Sequence, residues 1–194
     1  MKTLVSPVAA IAVLLGATGA MAAPVTYQFD PDHSQAVFEY THMGFSTSTG
    51  IINGLTGTLV LDAENPAAST VEATIPLSGL HSVAAGLDEH LFTADFFNTD
   101  KATAVATFKS TKVEPNGDKE AKVTGDLVLN GVTKEVVLEV DLNQIAAHPM
   151  TGKEAAGFNA ATEIKRSDFN LGKFAPAVED EVEINISVEA VKAE

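Results

Sequence analysis

The sequence predicts an all-β fold: an eight-stranded antiparallel barrel with one or two short helices inserted. Three observations carry this expectation. Apolar and polar residues alternate with period two along most of the chain, the mark of half-buried strands. Asn-Gly pairs, which favour tight hairpin turns, punctuate the alternating runs. One segment changes to helical spacing. Antiparallel strands joined in sequence order favour a closed barrel over a two-sheet sandwich, because closure leaves no unpaired edge.

Taken in order, Ala36, Phe38 and Tyr40 share one strand face. Val71, Ala73, Ile75 and Leu77 alternate with Glu72 and Thr74. Val83, Leu87 and Leu91 then stand four apart within residues 80–97, as on one face of a helix. Gly86 interrupts that segment, so one or two short helices are expected there in place of a long one. Ala121, Val123, Gly125, Leu127 and Leu129 line one face of a strand, opposite Lys122, Thr124 and Asp126. Asn130-Gly131 turns that strand into Val136, Leu138, Val140 and Leu142, and Asn116-Gly117 is a second turn pair. Residues 145–157, with Pro149 and Gly152, read as a loop. The clearest strand is the last, where Val182, Ile184, Ile186, Val188 and Ala190 alternate with Glu183, Asn185, Ser187 and Glu189. Eight or nine strands result, without a repeat or a Pro/Gly/Ser-rich linker.

Residues 1–22 read as a secretory signal peptide. Lys2 supplies a positive start, Val8 to Ala17 an apolar run, and Ala20-Met21-Ala22 the small-x-small pattern that puts the cut before Ala23. The apolar run of ten residues is shorter than the roughly 20 a spanning helix needs. Residues 23–194, 172 in number (194 less 22), are expected to form one domain without a membrane anchor.

The formal charge is −14 at pH 7, and loss of Lys2 with the leader makes it −15. A chain this acidic repels nucleic acid and anionic lipid surfaces, so neither is an expected partner, nor is stable membrane insertion. The absence of cysteine removes disulfides, thiol nucleophiles and Cys-type zinc sites. The sequence holds no Gly-x-Ser-x-Gly elbow, Gly-rich phosphate loop, dinucleotide fingerprint or His-Glu-x-x-His. His81 and His90, with Asp88 and Glu89 nearby, fit no standard zinc spacing. No catalytic residue, metal ligand or covalent cofactor is therefore assigned, and the chain is not expected to be an enzyme. His33 follows Asp30 and Asp32, where fixing a turn is its expected role.

An ordered set of short blocks resembles the YceI family, exported lipocalin-like barrels associated with polyisoprenoid binding. The set opens with Phe29-Asp30-Pro31-Asp32-His33-Ser34, Val37-Phe38 and His42-x-Gly44-Phe45. It continues with Leu87-Asp88-x-His90-Leu91, Asp95-Phe96-Phe97, Thr107-Phe108 and Gly125-Asp126-Leu127-x-Leu129-Asn130-Gly131-Val132-Thr133-Lys134. It ends with Ile164-x-Arg166-Ser167-Asp168-Phe169 and Asp180-x-Val182-x-Ile184. Asn170 departs from the pattern, because a glycine often follows the Arg-Ser-Asp-Phe block. The resemblance implies an elongated barrel around an apolar tunnel that takes a long isoprenoid or similar lipid. It further implies a periplasmic location, a homodimer, and membrane cytochromes of the b561 type as partners, which points to quinone-like ligands.

Phe38, Tyr40, Phe45, Phe92, Phe96, Phe97, Phe108, Phe158 and Ile164 are the candidate apolar contacts for such a ligand. Arg166, the only arginine, falls in phase with Phe158, Ala160, Thr162 and Ile164. An inward arginine needs an anion or several acceptors. Two readings stand: an ion pair closing the barrel end, with Asp168 as partner, or a guanidinium that meets a ligand head group. His42, in phase with Phe38 and Tyr40, is either a satisfied core histidine or a donor to a ligand oxygen. The expected function is a periplasmic carrier of an isoprenoid, quinone or long-chain amphiphile. The alternative is a structural or stress-associated interaction protein whose barrel is filled.

Overall fold

A computed structural model describes residues 23–194. The signal peptide read at 1–22 lies outside the described residues. The strands are β1 Val25–Phe29, β2 Gln35–His42, β3 Ser46–Asn53, β4 Thr56–Leu61, β5 Thr70–Pro76 and β6 Leu80–His81. They continue with β7 Val105–Asn116, β8 Glu120–Leu129, β9 Val132–Ala147, β10 Glu154–Lys165 and β11 Glu181–Lys192. One short helix, α1 Ala85–Leu91, lies between β6 and β7.

Hydrogen-bonded neighbours run β1-β4-β5-β7-β8-β9-β10-β11 and back to β1, a closed antiparallel ring of eight. The remaining three strands extend its walls. β11 pairs with β1 through residues 190–192 and with β2 through residues 183–187, so β1 and β2 follow one another along one edge. β3 leads into β4 across Gly54 (φ 78°), and β5 leads into β6 through the 3-10 turn Leu77–Gly79. The chain thus forms the predicted eight-stranded barrel, with three of its walls kinked.

The hairpin turns follow from the Asn-Gly pairs. Asn130 and Gly131 both take positive φ, 50° and 74°, as a two-residue hairpin turn of right-handed twist requires. The expected loop over 145–157 is shorter in the structure: β9 runs through Ala147 and β10 begins at Glu154. Gly157 pairs with Gln144 but Phe158 with Leu142, so β9 carries one extra residue. That bulge breaks the period-two pattern by which a strand is recognised.

Two apolar clusters pack inside the barrel. One holds Ile164, Phe169, Leu171 and Val182, with Phe38, Tyr40, Phe96 and Phe97 against it. The other holds Tyr27, Ala156 and Ala190, with Phe29, Leu59 and Phe158. Tyr27 is 2% exposed, and its hydroxyl donates to Glu154 Oε1 at 2.8 Å. Burial, then the adjacent carboxylate, pushes its pKa up to about 12, so it remains a donor well above neutral pH.

Three phenylalanines lie against glycines of neighbouring strands. Phe38 is the direct partner of Gly50, Phe29 lies on Gly57, and Phe108 lies on Gly125. A Cβ at any of the three glycines would run into the ring. Aromatic cover of a strand glycine keeps the ring against the wall and out of the barrel's centre. Gly50→Ala should therefore displace Phe38 and destabilise the protein by about 1–3 kcal/mol, as overpacking does. Urea unfolding reads this as a lower midpoint at unchanged slope; an unchanged midpoint would show that the ring is free to move aside.

Candidate functional site

The inward residues of the ring strands enclose an apolar lumen of about 420 Å³. That volume is within the range of small-molecule sites, roughly 300–1,000 Å³. Leu59 on β4, Ala73 on β5, Phe108 on β7, Val123 and Leu127 on β8, Leu138 and Val140 on β9, Phe158 and Ala160 on β10 and Ile186 on β11 illustrate its wall. Two of the hydroxyl side chains in its wall are engaged. The Thr162 hydroxyl donates to the Val137 carbonyl at 2.9 Å, and Ser69 Oγ accepts the Asp62 N–H at 3.0 Å. Among the described residues no buried side-chain nitrogen or oxygen lacks a partner. The wall can therefore hold hydrocarbon by area alone and offers few polar groups to a guest.

The two ends of the barrel differ. One carries the β2–β3 turn, α1 with residues 92–104, and the segment after β10. Here Phe169, 1% exposed, and Leu171 seal the lumen together with Phe38, Tyr40, Phe96 and Phe97, none of which lines it. The other end carries the β4–β5, β7–β8 and β9–β10 turns. There Asp62, Ala63, Pro66, Gly117, Asp118, Lys119 and Glu120 border the lumen, which opens between the first two of these turns.

Arg166 secures the sealed end. Its Nε donates to the Glu179 carbonyl at 2.9 Å, Nη1 to those of Leu171 (2.6 Å) and Lys173 (3.5 Å), and Nη2 to that of Val178 (3.0 Å). Burial lowers its pKa, against the pull of the nearby Asp180 carboxylate. Four carbonyls thus satisfy the guanidinium and fold residues 171–179 over the barrel end. Asp168 is not its partner: it sits at the surface, 3.5 Å from Lys134 Nζ. β10 ends at Lys165 and a 3-10 turn, Arg166–Phe169, follows, so strand parity no longer predicts where these side chains point. Asn170 closes that turn at φ 59°, the left-handed conformation that glycine takes most readily and asparagine tolerates.

A second clamp ties α1 and the residues after it to the same segment. Asp95 accepts from His90 Nε2 at 2.9 Å and pairs with Lys173 Nζ. His90 stands edge-on to Phe96, which in turn meets Phe174, with ring centroids 5.2 and 6.0 Å apart. The hydrogen bond from His90, then Lys173, holds the Asp95 carboxyl below the usual carboxylate range.

The remaining candidates divide by place. Phe108, Phe158 and Ile164 line the lumen. Phe92 stacks on Phe97 at 5.4 Å outside it. His42 is exposed at the end of β2, where its backbone bridges to Val178. Phe45, 91% exposed, occupies the tip of the β2–β3 turn. Most of the lumen wall is aliphatic, as at Leu59, Val123, Leu138 and Ile186, and lies outside the aromatic and charged residues that the sequence singles out. The alternation that predicts the strands also marks those residues as inward.

The model of the YceI-like domain matches residues 27–190. The chain belongs to the YceI-like family. Protein YceI of Shigella flexneri is 40% identical over 180 residues, covering 93% of each chain. The solved structure of BcnA from Burkholderia cenocepacia superposes with a TM-score of 0.73 at 24% identity, covering 83% of this chain and 98% of that one. A Saccharophagus degradans structure, described as a polyisoprenoid binding domain implicated in plant cell wall breakdown, gives a TM-score of 0.63 at 13% identity. That match covers 87% of this chain and 99% of the other. Both structural likenesses show that this YceI-like protein has the same barrel fold.

Arg166→Ala leaves four carbonyls without their donor and should cost about 2–4 kcal/mol, measured by urea unfolding. A variant as stable as the parent would show that the 171–179 segment holds without it. Asp95 ionises more readily folded than unfolded, so its stabilisation is complete above the ordinary value of 3.8 and is lost as pH falls through its lower folded value. Hydrogen-exchange protection in residues 85–98 and 171–178, taken relative to the intrinsic exchange rate at each pH, should fall as pH drops below about 4. Asp95→Asn should be less protected at pH 7 and lose the part of this acid response that the parent shows in excess.

Proposed function

We propose that this protein is a non-enzymatic periplasmic carrier that holds a long-chain isoprenoid, quinone or similar amphiphilic lipid in its lumen. The observation that carries the proposal is the predominantly apolar cavity of about 420 Å³, sealed at one end. Each methylene removed from water contributes about 0.8 kcal/mol, so a chain of about 20 carbons supplies more than 10 kcal/mol gross. Ordering and association costs reduce that sum, yet binding needs no specific polar contact. The fold shared with a domain described as polyisoprenoid binding supports this choice of ligand. The leader-like residues 1–22 support export, and the family resemblance supports a homodimer and a b561-type membrane cytochrome as partners. The open lumen weighs against the alternative of a filled barrel with a purely structural role.

Ala160 faces the lumen from the middle of β10, beside Val140 and Ile186. Organic extracts of the freshly purified native protein should yield a bound apolar lipid by mass spectrometry. Ala160→Trp fills open volume and should lower that yield by roughly tenfold or more while far-UV circular dichroism is kept. A parent protein that reproducibly yields no apolar molecule would overturn the proposal.

A further inference from the structure

The mouth of the lumen differs from its sealed end in charge as well as in access. The residues bordering it include three carboxylates, Asp62, Asp118 and Glu120, and one ammonium, Lys119. This rim is held in place by its own turns. Asp62 Oδ1 accepts the N–H groups of Glu64 at 3.0 Å and Asn65 at 2.8 Å, and Glu120 Oε2 accepts from Asn116 Nδ2 at 2.9 Å. The Lys119 carbonyl accepts the Leu142 N–H at 2.7 Å, which fixes the β7–β8 turn against β9. At the sealed end the chain's one guanidinium is occupied by backbone carbonyls, so it offers nothing to an anion that reaches inside.

A lipid whose tail enters this lumen leaves its head at a rim of net negative charge. We infer that the lumen selects ligands by head-group charge: it takes isoprenoid chains that end in an uncharged alcohol or quinone ring and discriminates against the same chains ending in phosphate or diphosphate. Asp62, Asp118 and Glu120 are the specificity-determining groups. They form no binding site themselves. They act on whatever the apolar wall leaves outside, through a field that salt screens over about 8 Å at physiological ionic strength. The inference rests on the proposed function, in that a lipid must occupy the lumen at all.

The test uses residues 23–194 and two probes of equal chain length, geranylgeraniol and geranylgeranyl diphosphate. Both compete for the lumen with the uncharged fluorophore N-phenyl-1-naphthylamine. The alcohol should displace the fluorophore at least about tenfold more tightly than the diphosphate at low ionic strength. That ratio should narrow in 0.5 M salt, where the screening length falls to several ångströms. In the double variant Asp118→Asn, Glu120→Gln the ratio should move toward one through tighter binding of the diphosphate. A diphosphate that binds as tightly as the alcohol overturns the inference and leaves the carrier function standing. So does a ratio indifferent to both salt and the variant. If the fluorophore binds and neither isoprenoid displaces it, the isoprenoid carrier reading itself falls, and the inference with it.

Discussion

Ring closure depends on a short pairing between the two ends of the described chain. Tyr27, Gln28 and Phe29 of β1 lie opposite Lys192, Val191 and Ala190 of β11. Without it β1 would present a free edge and β11 would keep on that side only its pairing with β2 over residues 183–187, leaving the ring open along residues 190–192. With it, eight walls direct their apolar residues at one axis. Tyr27 reinforces the seam twice: its ring packs on Ala156 and Ala190, and its hydroxyl reaches Glu154 on the strand beyond β11. The lumen is therefore a consequence of where the chain's ends meet.

An eight-stranded barrel has an interior that side chains can fill or that can hold one small ligand. Two features decide the outcome here. Phe29, Phe38 and Phe108 reach over Gly57, Gly50 and Gly125, which draws the three rings against neighbouring strands, Phe29 and Phe108 as part of the lumen wall and Phe38 as part of its seal. Ala73, Ala106 and Ala160 stand at inward positions where larger residues would meet across the axis. Bulk is concentrated instead at one end, in the cluster around Phe169, and Arg166 fastens the covering segment over it. The resulting pocket has an apolar wall, a closed floor and an acidic mouth. Hydrocarbon is attracted by the first, stopped by the second, and its head group meets the third.

Most of the fold is legible in the sequence because strand alternation is a local signal. β11, β8 and the Asn130-Gly131 hairpin are read directly from side-chain order and turn chemistry. The β9 bulge is not, since one extra residue shifts the phase of everything around it. The site was harder to read. Aromatic content drew attention to Phe38, Phe96 and Phe97, which seal the barrel, whereas plain aliphatics such as Leu59, Leu138 and Ile186 line it. Arg166 was found by its rarity, but its partners are backbone carbonyls, which every residue carries and no sequence pattern marks. Asp168 missed the position that strand parity assigned it because β10 gives way to a 3-10 turn one residue before Arg166. The glycines opposite Phe29, Phe38 and Phe108 need cross-strand register to be understood, and register is a property of the paired sheet.

The central claim is that this barrel encloses a space a lipid chain can occupy from one end only. A crystal structure of residues 23–194 loaded with a long-chain prenol tests it most directly. The account predicts continuous ligand density from beside Ile164 to the mouth between Asp62 and Asp118, with the hydroxyl outermost and the Phe169 cluster undisturbed. Density that enters past Arg166 and Phe96, or a lumen filled by inward-turned Phe29 and Phe108 rings with no ligand, would contradict it.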